Sequence, residues 1–184
     1  TNGHSLDVRL DVGGHGVAGD LSLTDAQAHQ LITNGLEFAA QDNITLDAAG
    51  GTHLSNSLKQ LEKLAIDQVA VTGDLTVELG AGAGDTLESI ALGGMPSFTD
   101  SANVTVELAS PDALVNGGLD ITGIDALLNH GIDNITLDVA PSNIDSLFTA
   151  GELNSDLINA VSLAQQVGTN GHSLDVRLDV GGHG

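Results

Sequence analysis

The chain has 184 residues, enough for one ordinary domain, and sets 4 Lys+Arg against 25 Asp+Glu for a formal net charge of −21. Such a surface repels nucleic-acid phosphates and anionic membranes and attracts cations, so nucleic acid is excluded as a partner and membrane insertion is not expected. With no Cys there is no disulfide or thiolate chemistry, and with three Phe, no Trp and no Tyr the core must be built from Leu, Ile, Val and Ala.

The chain opens with TNGHSLDVRLDVGGHG at residues 1–16, and the same sixteen residues return without substitution at 169–184. Residues 1–168 therefore read as one long repeat unit, and 169–184 as the start of the next identical unit. Within the unit, short segments alternate apolar and polar residues, the pattern of a half-buried strand. They lie near 6–12, 44–48, 75–79, 104–108 and 135–139, and 174–178 repeats the first. Their starts are 38, 31, 29, 31 and 39 residues apart, so the long period holds five degenerate coils of about 30 residues.

Helical patterns separate the strands. Thr24 with Gln27 three residues on forms a capping box ahead of Ala28, Leu31 and Ile32. Leu54, Leu58, Leu61 and Leu64 make an apolar stripe at helical spacing. Asp85 is expected to cap a short helix through Leu87 and Ile90, and Thr122 one through Ile124 and Leu127. Two further segments, 143–148 and 155–166, complete the last coil. A strand, a crossover of some two dozen residues and another strand imply parallel pairing. Because the strands alternate cleanly, one face is buried and the other polar. The fold expected is α/β: an α/β-solenoid with its strands stacked in one sheet and its helices on one side. At ~4.8 Å per strand, five strands advance the stack by roughly 24 Å.

In layout this plan resembles leucine-rich repeats, with Ile132, Ile135 and Leu137 on the consensus spacing. Ala140, Ala49, Gly80 and Ala109 stand where that family has Asn or Cys, so its role in protein recognition does not carry over. The NITLD and LTVEL strands, the acidity and the diet of Ala, Gly, Asp and Leu resemble very large tandem-repeat proteins of bacterial surfaces. That resemblance implies an extracellular or cell-surface filament or adhesin assembled from copies of itself.

Position 4 of the strands is acidic in Asp47, Glu78, Glu107 and Asp138, with Arg9 (Arg177 in the copy) in that row once per unit. If stacked ~5 Å apart, each carboxylate pair costs about 0.8 kcal/mol in water and several times that near a protein surface. The row therefore splays into water, meets a basic partner or binds Ca2+, for which these four are the candidate ligands. The short polar residues before each strand (Ser5, Asn43, Asp74, Asn103, Asn134, Ser173) are expected to bond to neighbouring turns as a ladder. Gly13–Gly16 matches half of a calcium-binding nonapeptide, and the histidines 4, 15, 29, 53 and 130 show no helical pairing. No nucleophile–base–acid arrangement stands out, and the expectation is a structural protein, not an enzyme. The alternative is a calcium-dependent adhesin or matrix-binding module.

Overall fold

The structure is a computed structural model and describes residues 8–48, 52–80, 86–99, 103–115, 120–166, 168 and 171–180. His4, Ser5, Ala49 and Asp85, considered above, lie outside these residues. The fold is α/β with parallel sheets, as the alternation and the crossover lengths imply. The strands are β1 (Arg9–Leu10), β2 (Asp20–Thr24), β3 (Glu37–Phe38), β4 (Asn43–Ala48), β5 (Thr52–His53), β6 (Gln68–Val71), β7 (Leu75–Glu78), β8 (Ser97–Phe98), β9 (Val104–Leu108), β10 (Asn134–Asp138), β11 (Phe148–Thr149), β12 (Glu152–Leu153) and β13 (Asp175–Asp179). The helices are α1 (Asp25–Thr33), α2 (Leu58–Leu64), α3 (Leu87–Gly93), α4 (Asp112–Val115), α5 (Ile121–Asn129) and α6 (Ser155–Ala164), with a 3-10 turn at Pro141–Leu147.

The expected one sheet is two. The first runs β2-β4-β6-β8 and the second β5-β7-β9-β10-β13, each parallel throughout and each in chain order. A separate pair joins β1 to β3, and β11–β12 is an antiparallel hairpin. There are two sheets because the crossovers carry extended segments of their own, which build the first sheet around β4. Gln68–Val71 alternates polar and apolar and buries Val69 and Val71, and Asp20–Thr24 buries Leu23. Between β6 and β7, Gly73 at φ 151° turns the chain from one sheet to the other, a conformation that glycine alone adopts readily.

The core is aliphatic and continuous through both sheets and the helices. Ile44 and Leu46 of β4, Leu75 of β7 and Leu108 of β9 are fully buried, as are Leu58, Leu61 and Leu64 of α2, Leu87 and Ile90 of α3, and Ile124 and Leu127 of α5. Helices also neighbour one another along the chain, α1 on α2, α2 on α3 and α3 on α5. The capping box of α1 forms as read, Thr24 accepting from Gln27 N–H. Another forms at α2 between Ser57 and Gln60. Two expected caps are displaced. Thr86 starts α3, accepting from Ser89 N–H, and Asp120 starts α5, accepting from Thr122 and Gly123 N–H. Asp120 outcompetes Thr122 because its carboxylate accepts two of the orphan amides at once.

Aspartates tie consecutive strands together. Ile44 N–H donates to the Asp67 carboxylate at 2.7 Å and its carbonyl accepts from Asp67 N–H at 3.0 Å. Val104 and Asp133 repeat the arrangement at 2.9 and 3.0 Å. Asn103 donates to Asp74 at 3.0 Å, one rung of the expected pre-strand ladder, whereas Asn43 donates at 3.0 Å to Asp20, a residue outside that ladder. Buried Asp42 accepts from Val12 N–H at 2.9 Å and Gly19 N–H at 3.0 Å. The Val12 bond, more than any other influence, holds its carboxyl below the usual value.

Leu61, with 0% of its surface exposed, and Leu92, with 56%, separate burial from helix propensity. Leu61→Ala is expected to cost about 3 kcal/mol, and Leu92→Ala less than about 0.5 kcal/mol, in urea unfolding.

Candidate functional site: an acidic cleft around His53

The polar face of the second sheet carries a cluster that combines a histidine with several acids. Its side chains come from four successive strands, because alternation sends every second residue to this face. β5 supplies His53, β7 Glu78, β9 Glu107 and β10 Asp138. Together with Gly80 and Ser110 they line a cleft of about 650 Å3.

Parallel register fixes who meets whom. Glu78 and Glu107 are direct partners on neighbouring strands. On the next strand, Glu107 faces Thr136, which in turn faces Arg177 on β13. The register between β9 and β10 is thus offset by two residues from the expected alignment, and Asp138 stands one row beyond Glu107, opposite Asp179. Asp47 is elsewhere. It lies on β4 in the first sheet, opposite Thr24, and accepts from Ser22 Oγ at 2.7 Å. The four candidate calcium ligands therefore do not form one row: Glu78, Glu107 and Asp138 share a cleft, and Asp47 does not join them. The displacement follows from the division into two sheets. Among the described residues, no group of three or more His, Asp or Glu side chains is placed to hold a metal ion.

Instead, His53 closes on Glu107. Its Nε2 lies 2.8 Å from Glu107 Oε2, and its Nδ1 lies 3.3 Å from the Leu54 carbonyl. The imidazole reaches from β5 over the row of β7 to β9. Glu107 is 7% exposed, the one buried acid on this face of the sheet. The Glu107 hydrogen bond raises the His53 pKa above 6.5, partial burial opposes it, and the charges of Glu107 and Glu78 add to the rise. His53 thus supplies the positive charge that makes two adjacent glutamates tolerable. Asp138 Oδ1 is shielded from solvent without a hydrogen-bond partner among the described residues.

Gly80 shapes the cleft wall at φ +73°, and a Cβ there would strike the Ser57 side chain that caps α2. The cleft is thereby tied to a helix start. His29 and His130 make their hydrogen bonds elsewhere. His29 meets Asn56 at 3.1 Å, and Asn56 is itself fixed on Asp25. His130 lies 3.2 Å from Ser97 Oγ, and burial lowers its pKa. The role of His53 was not visible from spacing. The only local sign is the Thr52–Leu54 alternation just before the Ser57 cap, which places His53 on a polar strand face.

Gly13–Gly16 forms a local turn: the Asp11 carboxylate accepts from Gly14 N–H at 2.8 Å and Gly16 N–H at 3.0 Å. No helix among the described residues is long and apolar enough to cross a membrane. No protein-family model, curated protein or solved structure matches this chain.

Because protonated His53 is favoured in the folded state, its contribution to stability is complete below its ordinary pKa of 6.5 and is lost as pH rises through the elevated folded value. His53→Gln should lower the melting temperature most near about pH 5.5 and have its smallest effect near about pH 9. Melting curves of both proteins across that range check it; a pH-independent difference would contradict the ion pair.

Proposed function

We propose that the chain is a repeat unit of a structural protein, an α/β-solenoid whose units stack into an extracellular filament. The observation that carries this reading is the strand order. Among the described residues, both principal sheets add their strands in chain order, with no strand inserted out of turn. A sheet built that way has no built-in end: each strand covers the last and presents an edge for the next. The returning sequence continues the rule, since β13 from the second copy adds in register beside β10. The helices follow the same succession.

The texture of the sequence, its lack of a catalytic constellation and its resemblance to tandem-repeat surface proteins support the same reading. A filament of such units is strongly acidic at every level along its axis. Its growth is therefore helped by salt and by cations gathered from solution.

A second reading draws on the cleft at His53. Glu78, Glu107 and Asp138 line one cleft there, and a calcium-dependent adhesin or matrix-binding module would use such an acidic face. The absence of Trp and Tyr leaves no aromatic platform for sugar rings.

Fibre diffraction and electron microscopy of native material test the first reading. Filaments with a ~4.8 Å strand spacing along the axis and a longer repeat on the order of 24 Å are expected. Monodisperse globular particles would sink it. Calcium-dependent binding of the non-polymerised protein to a glycan or cell surface would favour the second.

A further inference from the structure

The two copies of the sixteen-residue sequence pair with different strands, β1 with β3 and β13 with β10, and the parts described in both, 8–12 and 176–180, can be compared residue by residue. They use opposite edges of the same strand. In a parallel ladder, the N–H and C=O of one residue point to one side and those of the next to the other. In the second copy the odd-numbered residues face β10: Asp175 N–H donates to the Asp133 carbonyl at 3.0 Å, and the Asp179 carbonyl accepts from Val139 N–H at 2.9 Å. In the first copy the even-numbered residues face β3: the Leu10 carbonyl accepts from Ala39 N–H at 2.8 Å, and Val12 N–H donates to Asp42. Leu10 corresponds to Leu178 and Val12 to Val180. One strand could therefore hold β10 and β3 at the same time without sharing a hydrogen bond.

Burial tells the same story. Val8 is 50% exposed while its counterpart Val176 is packed on the core. Leu10 and Val12 are packed on the core while Leu178 and Val180 are 48% and 43% exposed. Each copy buries what the other leaves open. Beside β13, the edge strand of its sheet among the described residues, lies an apolar groove of about 320 Å3 lined by Leu153, Ile158 and Leu178. Charge agrees too: Arg9 is the direct partner of Glu37, so Arg177 would meet a glutamate in the same place.

We infer that Val176–Val180 of one chain takes the place of Val8–Val12 in a second copy, pairing with β3 of that copy while remaining on its own β10, so that copies join head to tail by exchange of an identical strand. This deepens the filament reading and rests on it for the direction of growth. The bonds given up by the displaced first copy are remade by the same residues of the incoming one. What is gained is cover for the open edge and groove; what opposes it is association entropy and the repulsion of two strongly acidic chains. In a chain carrying further units, the same strand joins them without displacement.

Two identical substitutions in the identical sequence give the test. Arg9→Glu opposes Glu37 within the chain and releases the first copy, so self-association should strengthen. Arg177→Glu opposes Glu37 of the second copy, so self-association should weaken. Each shift is expected to be roughly fivefold, the scale of a cross-strand charge pair. Sedimentation across protein concentration at fixed salt, with wild type as reference, reads both. The two variants carry the same net charge, so general repulsion or unspecific apolar contact moves them together. Equal shifts, or no shift, would overturn strand exchange while leaving stacking by another contact open. Absence of self-association in all three proteins also overturns the exchange, and the filament reading then stands or falls on images of native material.

A second measurement uses the absence of cysteine. Arg177→Cys mixed with Glu37→Cys and mildly oxidised should yield the mixed disulfide dimer above either homodimer. A statistical mixture of the three dimers would overturn the assigned register.

Discussion

Parallel pairing is the constraint from which the rest follows. Two parallel strands cannot be joined by a tight turn; the chain must cross over the body of the protein before it returns. Each return here brings a helix that lays leucines over the strands just made: α2 brings Leu58, Leu61 and Leu64, and α3 brings Leu87 and Ile90. A core so poor in aromatic residues is filled in narrow aliphatic layers. A buried leucine contributes about 1.5–3 kcal/mol, so many small layers supply what a few large rings would elsewhere. The aspartate clamps serve the same constraint. Asp67 on Ile44 and Asp133 on Val104 satisfy both polar groups of one residue on the preceding strand, and so set where the next strand begins.

Acidity is the cost carried by this arrangement. Stacking near-repeats puts like residues side by side, and in a chain this acidic the like residues are carboxylates. The structure relieves the row in three ways. The β9–β10 register slips by two, which puts Thr136 instead of Asp138 beside Glu107. His53 reaches across a strand to neutralise Glu107. Arg177 enters the row on β13, where it also pairs with Asp175 at 2.7 Å. The sheet division removes Asp47 altogether. None of these depends on a bound ion, although the cleft keeps Glu78 and Asp138 within one cavity.

Much of the fold was legible. The strands at 104–108 and 44–48, the Thr24 cap and the leucine stripe of α2 follow from local periodicity, and local chemistry enforces them. What could not be read is which strands share a sheet. The hexapeptide DNITLD occurs at 42–47 and again at 133–138, and the two copies lie in different sheets. Nothing inside six identical residues can decide between them. The flanks do: Thr52–His53 follows the first copy within a few residues and takes the place in the second sheet, whereas Pro141–Leu147 follows the other. The same lack of local signal hid the His53–Glu107 pair. Its partners are 54 residues apart, and their meeting is set by strand register that neither residue's neighbours encode.

The duplicated sequence turns this limit into information. DNITLD is one sequence at two different addresses. The strand at 9–10 and at 175–179 is one sequence seen from its two sides, bonded by even residues to β3 in the first copy and by odd residues to β10 in the second. A strand in the middle of a sheet must satisfy both edges at once, and a strand at a boundary satisfies one. Two strands of the same sequence whose satisfied edges are complementary are what the proposed strand exchange requires. In the proposed exchange, the identity of the two strands has a physical reason. A substitution that improved the fit to β3 but spoiled the fit to β10 would mend one boundary and break the other, so the strand is held to residues that serve both.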